Sequence, residues 1–186
     1  MATITVFVRS PISGYITGRT KYCIPLSQGG DPVCTGSGNP HNSCAGGVTP
    51  VDIGGSGSLY LRVNYPNVLS IRTFIALPCC PGQPDNYRRA ITVELYGKSN
   101  GVCYIGSVRY AHVASPAVSH NTLYNLSSGS KLLGTVPTGS AGSCYSGPHS
   151  HMERTGGVTV APCCGATVST STNIYRYTWD DAACMS

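Results

Sequence analysis

Short runs in which apolar and polar residues alternate are spread along most of the chain. The clearest is Ala90–Tyr96, in which Ile, Val and Leu occupy every second position. Because successive side chains of a β-strand point to opposite faces, this period predicts half-buried strands. Weaker runs of the same kind, rich in β-branched residues, predict further strands at 2–9, 59–63, 69–76 and 102–113.

The segments between these runs favour turns and loops. The chain contains 23 glycines and 13 prolines, which is typical of short strands joined by frequent turns. We expect an irregular segment at 10–47, a turn-rich excursion at 78–86, a hairpin-like turn at 98–101 and a strand pair or packed arm at 158–186. No stretch longer than a turn or two shows a 3.6-residue apolar period, and no internal repeat is visible. The sequence therefore predicts an all-β, or nearly all-β, antiparallel sheet or sandwich.

Length and composition predict one folded domain. The chain has 186 residues, of which 41% are hydrophobic and 10% are charged, a balance that favours a packed core over disorder. The net charge of +5 is spread thinly. Both a solvated surface and attraction to an anionic polymer such as a cell wall fit this charge. Nucleic acid is not expected as a partner, because no basic stripe interleaved with aromatic residues is present.

The cysteines are the strongest compositional signal. An even number spread along the whole chain favours a disulfide framework and an oxidising compartment, so we expect an extracellular or cell-wall location. The pairing is not determined by the sequence, and the absence of C-x-x-C argues against a cysteine metal cluster. No apolar run is long enough to span a bilayer, and the first residues do not have the pattern of a signal peptide. The ten cysteines are Cys23, Cys34, Cys44, Cys79, Cys80, Cys103, Cys144, Cys163, Cys164 and Cys184.

Two histidines, His149 and His151, stand two positions apart directly after a Gly-Pro pair. Residues i and i+2 of a strand point to the same face, so both imidazoles are expected to project into one site. Glu153 follows at the same spacing and is expected on that side as well. Neutral imidazoles are good ligands for a borderline cation such as zinc.

Other candidate residues each have an ordinary explanation when taken alone. Asp52 lies between two apolar residues and is expected at a strand end, where it either caps the following Gly-rich turn or binds a metal. Tyr110 and His112 are expected to share one face of a strand, where His112 is either a core or edge residue or part of a site. His41 and His120 lie in polar loops, where a lone histidine is usually solvated. His120 is expected to be either solvated or a residue of a substrate-binding loop.

Taken together and in order, four short motifs point to a family. They are V-D-I-G at 51–54, V-R-Y-A-H-V at 108–113, G-S-K-L-L-G-T-V at 129–136 and S-G-P-H-S-H-M-E at 146–153. This set resembles the lysostaphin-type zinc metallopeptidases, which include the LytM-like and β-lytic endopeptidases. The last motif is the most specific, since it is similar to the family's G-P-H-x-H-x-E run.

The resemblance divides the single domain, 1–186, into a core and two flanks. A metallopeptidase-like core of the LytM type spans 41–153. An N-terminal strand and stapled loops precede it at 1–40, and a cysteine-bearing arm follows it at 154–186.

The resemblance also implies a role for each candidate residue. The family often has its first ligand histidine four residues before the aspartate, where Val48 stands in this chain. His41 is the histidine upstream, as in family members that carry a longer insertion. The implied zinc ligands are His41, Asp52 and His151, the implied catalytic imidazoles are His112 and His149, and the implied supporting residues are Glu153 and Tyr110.

The chemistry of such a set is that of a hydrolase. Three protein ligands leave one zinc ion a fourth position for water, whose pKa the metal lowers toward neutrality. H-E-x-x-H is absent, so His149 or His112 would take the proton or donate to the oxyanion. The resemblance implies a zinc-dependent endopeptidase that cleaves peptide bonds of peptidoglycan, in cross-bridges or stem peptides. The alternatives are a zinc-bearing extracellular binding module without strong catalysis, and a disulfide-rich structural surface protein.

Overall fold

The structure, a computed structural model, describes residues 2–19, 48–162 and 165–184. Nearly all regular structure in these residues is β, as the sequence predicts, and the helical part is one α turn, α1 (Asp85–Arg88), with short 3-10 turns. The strands are β1 (Thr3–Arg9), β2 (Gly14–Arg19), β3 (Val48–Gly54), β4 (Ser58–Arg62), β5 (Ser70–Ala76), β6 (Ala90–Tyr96), β7 (Tyr104–Ala111), β8 (Thr122–Asn125), β9 (Ser130–Thr135), β10 (His149–Thr155), β11 (Val158–Thr159), β12 (Thr167–Val168) and β13 (Asn173–Asp180).

Within the described residues the strands form three antiparallel sheets. The large sheet has the order β12-β2-β3-β10-β7-β6-β5-β8, a smaller sheet has the order β1-β13-β11, and β4 pairs with β9. The central strands β3, β10 and β7 come from distant parts of the chain and lie side by side. This arrangement confirms the predicted antiparallel β architecture.

Strand β2 is the clearest departure from the predicted elements. It lies inside the segment that was expected to be irregular, and that prediction is wrong for residues 14–19. Two of its six residues are glycines, so its own sequence shows neither strong β propensity nor clean alternation. It forms because β3 supplies a pairing partner along most of its length. Residues 20–47, including His41, lie outside the described residues.

The core lies on one face of the large sheet. Val51, Tyr110 and Met152 project from three neighbouring strands and are fully buried there. Tyr175 and Tyr177 of β13 pack against this face, and their hydroxyls donate to the carbonyls of Met152 at 3.0 Å and Ser107 at 2.8 Å. These bonds hold the small sheet against the large one, and the opposite face of β3, β7 and β10 is left for polar side chains.

Disulfides in the described residues join distant segments, as the cysteine content predicts. Cys80 is bonded to Cys144, and Cys103 is bonded to Cys184. The second bond ties the residue before β7 to the turn that follows β13. Among the described residues, none of the helices has the length and apolar character that crossing a bilayer requires.

Replacing Cys103 and Cys184 together by serine is expected to lower the free energy of unfolding by about 2–4 kcal/mol, because the unfolded chain loses a long-range cross-link. Urea denaturation under non-reducing conditions measures this change. Each single replacement already breaks the bond, so each should destabilise nearly as much as the double replacement. Two single effects that simply add up to the double effect would contradict the pairing.

Candidate functional site

The register of three adjacent strands brings the candidate residues together. Asp52 of β3 pairs with His151 of β10, and His151 pairs with Ala111 of β7 on its other side. His149 lies two residues before His151 and pairs with Gly54. Directly paired residues share a face of the sheet, so these polar side chains project away from the core. Asp52 lies inside β3 rather than at its end.

His151 is held between two carboxylates. Its Nδ1 lies 2.9 Å from Asp52 Oδ1, and its Nε2 lies 2.8 Å from Glu153 Oε1. The expected position of Glu153, on the same side as the histidines, is therefore confirmed. Burial lowers the pKa of His151, but the hydrogen bonds to Asp52 and Glu153 outweigh it and raise that pKa to about 9. The two carboxylates thus favour the protonated, positively charged form of the His151 imidazole.

Glu153 is itself buried and paired. Its Oε2 lies 3.5 Å from a guanidinium nitrogen of Arg109, on the neighbouring strand β7. Its two oxygens are thus held by a histidine and an arginine, and such charge-assisted contacts fix a carboxylate in place. Glu153 therefore orients the imidazole of His151 from the side opposite Asp52.

His149 is the more accessible member of the histidine pair. Its side chain is 15% exposed, whereas that of His151 is 4% exposed. Its Nδ1 donates to the carbonyl of Gly147 at 2.8 Å, which fixes the proton on that nitrogen. Nε2 is left as a hydrogen-bond acceptor and lies 3.9 Å from Asp52 Oδ2. The imidazole can therefore accept a proton beside the Asp52 carboxylate.

His112 completes the group of three imidazoles. Its ring centre lies 5.4 Å from that of His149 and 5.9 Å from that of His151. Its Nδ1 donates to the carbonyl of Tyr87 at 2.6 Å, so Nε2 is again the acceptor. Burial lowers the pKa of His112 to about 4, although the bond to Tyr87 acts in the opposite direction. His112 is therefore neutral at physiological pH. We call Asp52, His112, His149 and His151 the histidine cluster.

Tyr145 is a site residue that the sequence analysis did not predict. Its ring stacks on His149 at 4.6 Å between centres and meets His112 edge-on at 5.1 Å. Its hydroxyl donates to the carbonyl of Pro137 at 2.8 Å and accepts from the amide of His149 at 3.2 Å. The only sequence signal is its place between Cys144 and the S-G-P-H run. Tyr145 fixes the relative position of the two imidazoles.

Two loops meet beside these rings. One joins β5 to β6 at 77–89 and the other joins β9 to β10 at 136–148, and the Cys80–Cys144 disulfide links them. The hydroxyl of Tyr87 adds a second link by donating to the carbonyl of Thr138 at 2.8 Å. Cys80 Sγ also lies 3.9 Å from His112 Nδ1. The disulfide is therefore part of the wall around His112.

Tyr110 does not join the cluster. It pairs with Met152 and is fully buried on the core face, which is the side of the sheet away from the cluster. Tyr110 and His112 were expected to share one face, and this is wrong. His112 has a left-handed backbone with φ of 57°, so it leaves the strand and its ring turns toward the other face.

His120 lies apart from these contacts. It is exposed, accepts from the amide of Ile75 at 2.9 Å and meets the ring of Phe74 edge-on. Its position agrees with the solvated loop residue that the sequence predicts.

A metal site would draw on two donors of the described residues. Asp52 and His151 present Oδ1 and Nδ1 to each other, and Glu153 fixes the other nitrogen of the same imidazole, as partners of metal-bound histidines commonly do. This donor set fits the ligand preference of zinc. Within residues 2–19, 48–162 and 165–184, no group of three or more His, Cys, Asp and Glu side chains is arranged to hold a metal ion. The expected third ligand, His41, lies outside these ranges.

No family model, curated protein or solved structure matches this chain. The resemblance to the lysostaphin-type peptidases therefore stands on the motifs alone.

Replacing Tyr145 by phenylalanine is expected to lower the free energy of unfolding by about 1–3 kcal/mol, because the amide of His149 and the carbonyl of Pro137 lose their buried partner. Urea denaturation measures the change. Tyr15→Phe is the matched control, since Tyr15 is exposed and its change should stay within about 0.5 kcal/mol. Equal stability of the two variants would show that the Tyr145 hydroxyl does not hold the loop.

Proposed function

We propose that this chain is a zinc-dependent endopeptidase that cleaves peptide bonds of peptidoglycan, in cross-bridges or stem peptides. The observation that carries the proposal is the convergence of Asp52, His112, His149 and His151 on one face of three adjacent strands. They belong to motifs that are far apart in the chain. Histidines without a shared role would not be expected to converge on one face in this way.

The cluster supports a division between metal-holding and proton-transferring residues. Asp52 and His151, with His41 as the third ligand, would hold one zinc ion, which would supply Lewis-acid activation of a water molecule at neutral pH. Glu153 keeps a proton on Nε2 of His151 and thereby leaves Nδ1 directed at Asp52. The Arg109 guanidinium holds the other oxygen of the Glu153 carboxylate.

The other two imidazoles act on protons. His149 and His112 each donate Nδ1–H to a main-chain carbonyl, so both present Nε2 as an acceptor. His149 Nε2 takes the proton of the attacking water and passes it to the leaving amine. His112 Nε2 accepts a hydrogen bond from the water or from a substrate N–H group and orients it. Tyr145 keeps the two rings at the separation that this requires.

The disulfides and the net charge of the protein support a cell-wall substrate. Disulfides in the described residues favour an oxidising compartment outside the cytoplasm. The net charge of +5 favours approach to an anionic wall polymer. We therefore place the proposed activity outside the cell or at a cell-wall or particle surface.

Zinc content separates the proposed ligands from the proposed proton carriers. His151→Ala is expected to lose stoichiometric zinc, because it removes a ligand atom, whereas His149→Ala is expected to keep it. Elemental analysis of the purified variants measures this, with His120→Ala as the matched control because His120 is exposed and lies apart from the cluster. His41→Ala tests the third ligand in the same assay. Zinc retained at wild-type stoichiometry in His151→Ala would refute the assignment.

Activity is tested by the release of new amino termini from a panel of purified peptidoglycans, with and without a zinc chelator. We expect chelator-sensitive release by the wild type and a loss of at least about a hundredfold in His149→Ala, the range for removing a general base. Full turnover by His149→Ala would contradict its role. If the protein holds zinc but releases no amino termini from any peptidoglycan, a binding module is favoured. If the purified protein holds no zinc and chelator does not change its melting temperature, a structural role is favoured.

A further inference from the structure

A row of paired residues leads from His149 to the neighbouring strands. His149 pairs with Gly54 of β3, and Gly54 pairs with Tyr15 of β2. Directly paired residues share a face of the sheet, so the side chain of Tyr15 projects on the same side as the imidazole of His149. In the adjacent row, Asp52 pairs with Gly18. A glycine is thus the strand partner of both polar residues.

The ring of Tyr15 lies over the glycine of its row. A methyl group added at Gly54 would come within 3.1 Å of Tyr15 Cζ and 2.8 Å of Thr17 Cγ2. Tyr15 is nevertheless 55% exposed, among the most exposed large side chains of the described residues. One side of the ring therefore rests on the β3 backbone, while much of the ring is open to solvent beside the site.

We propose that Tyr15 is a substrate-binding residue whose ring forms a stacking platform for an extended peptide, about two residues from the bond that is cleaved. This inference rests on the proposed function of the histidine cluster. The fold of the described residues does not require an exposed aromatic ring here, since burying large apolar surface is what stabilises a core and Tyr15 stays in solvent.

The distance of about two residues follows from sheet geometry. Neighbouring strands lie about 4.8 Å apart. The Tyr15 ring lies over Gly54, which pairs directly with His149, so the ring is about 5 Å from the His149 position. An extended peptide advances about 3.3 Å per residue, so it covers this distance in about two residues. A peptide that crosses from β10 to β3 would place a peptide plane or an apolar side chain on the ring.

The test combines substrate length with substitution. Synthetic peptides that carry the cleaved bond are made with one, two or three residues on either side of it. In the wild type, kcat/KM should rise when the peptide reaches about the second residue on one side. Tyr15→Ala should remove about three- to tenfold of kcat/KM for the longer peptides, the range for aromatic stacking, and leave the shortest peptide unchanged.

Two variants separate stacking from other effects. Tyr15→Phe keeps the ring and should behave like the wild type, which excludes a hydrogen bond from the hydroxyl as the cause. Tyr104→Ala is the matched control, because Tyr104 is 53% exposed and packs edge-on against Tyr96 instead of Gly54. Equal loss in Tyr104→Ala and Tyr15→Ala, or an equal loss for short and long peptides, would overturn the proposal.

The outcomes keep this proposal distinct from the proposed function. If the wild type cleaves and Tyr15→Ala matches it at every length, the platform is refuted and the endopeptidase stands. If the wild type cleaves nothing, sedimentation with intact insoluble peptidoglycan decides instead. Weaker binding by Tyr15→Ala, with Tyr104→Ala unchanged, would then support a platform on a binding module, whereas equal binding by all three proteins would refute it.

Discussion

The pairing of β3, β10 and β7 is the constraint on which the site depends. Each strand buries apolar side chains on one face, including Val51, Tyr110 and Met152. A slip of one residue in either pairing would move those side chains into the polar layer and carry Asp52 or His151 into the core. The burial of the apolar face therefore also sets the positions of the polar residues on the other face. The geometry of the cluster is a consequence of the packing of the core.

Hydrogen bonds and ion pairs then stabilise the polar face. His151 lies between two carboxylates, and Arg109 compensates the charge of Glu153. Main-chain carbonyls fix the tautomers of His112 and His149. Such a buried polar network is favourable only when each member has its partner, since an unpaired buried charge costs several kcal/mol. The same contacts that keep the cluster stable also determine which nitrogen of each imidazole is available.

Contacts from the loops fix the positions of the imidazoles more closely than the strands alone would. The Cys80–Cys144 disulfide and the bond from Tyr87 to Thr138 hold the two loops together beside His112. Tyr145, carried by one of these loops, contacts both His112 and His149. Imidazoles held in this way do not have to be ordered when a substrate arrives, which is a general requirement of efficient sites.

The local sequence pattern was sufficient to predict the strands with clean alternation and the shared face of the site residues on β10. The period of β6 and the spacing of His149, His151 and Glu153 depend only on the alternation of side chains along a strand, so both were predicted and both are found. Strand β2 was missed, because its glycine-rich sequence becomes a strand only when β3 lies beside it. The prediction that Tyr110 and His112 share a face was wrong for a related reason. The left-handed backbone of His112 ends the alternation, and no local sequence pattern predicts that conformation.

The sequence by itself determined that this is a disulfide-bonded β protein and which polar residues share a strand face, because the chain geometry that sets a two-residue period is local. Only the tertiary structure decided that Asp52 stands opposite His151, that Tyr145 stacks on His149 and that Tyr15 lies beside them across Gly54. These contacts join residues that are distant in the chain or lie in loops. They depend on strand register and loop position, which are fixed by the simultaneous burial of apolar side chains from many elements.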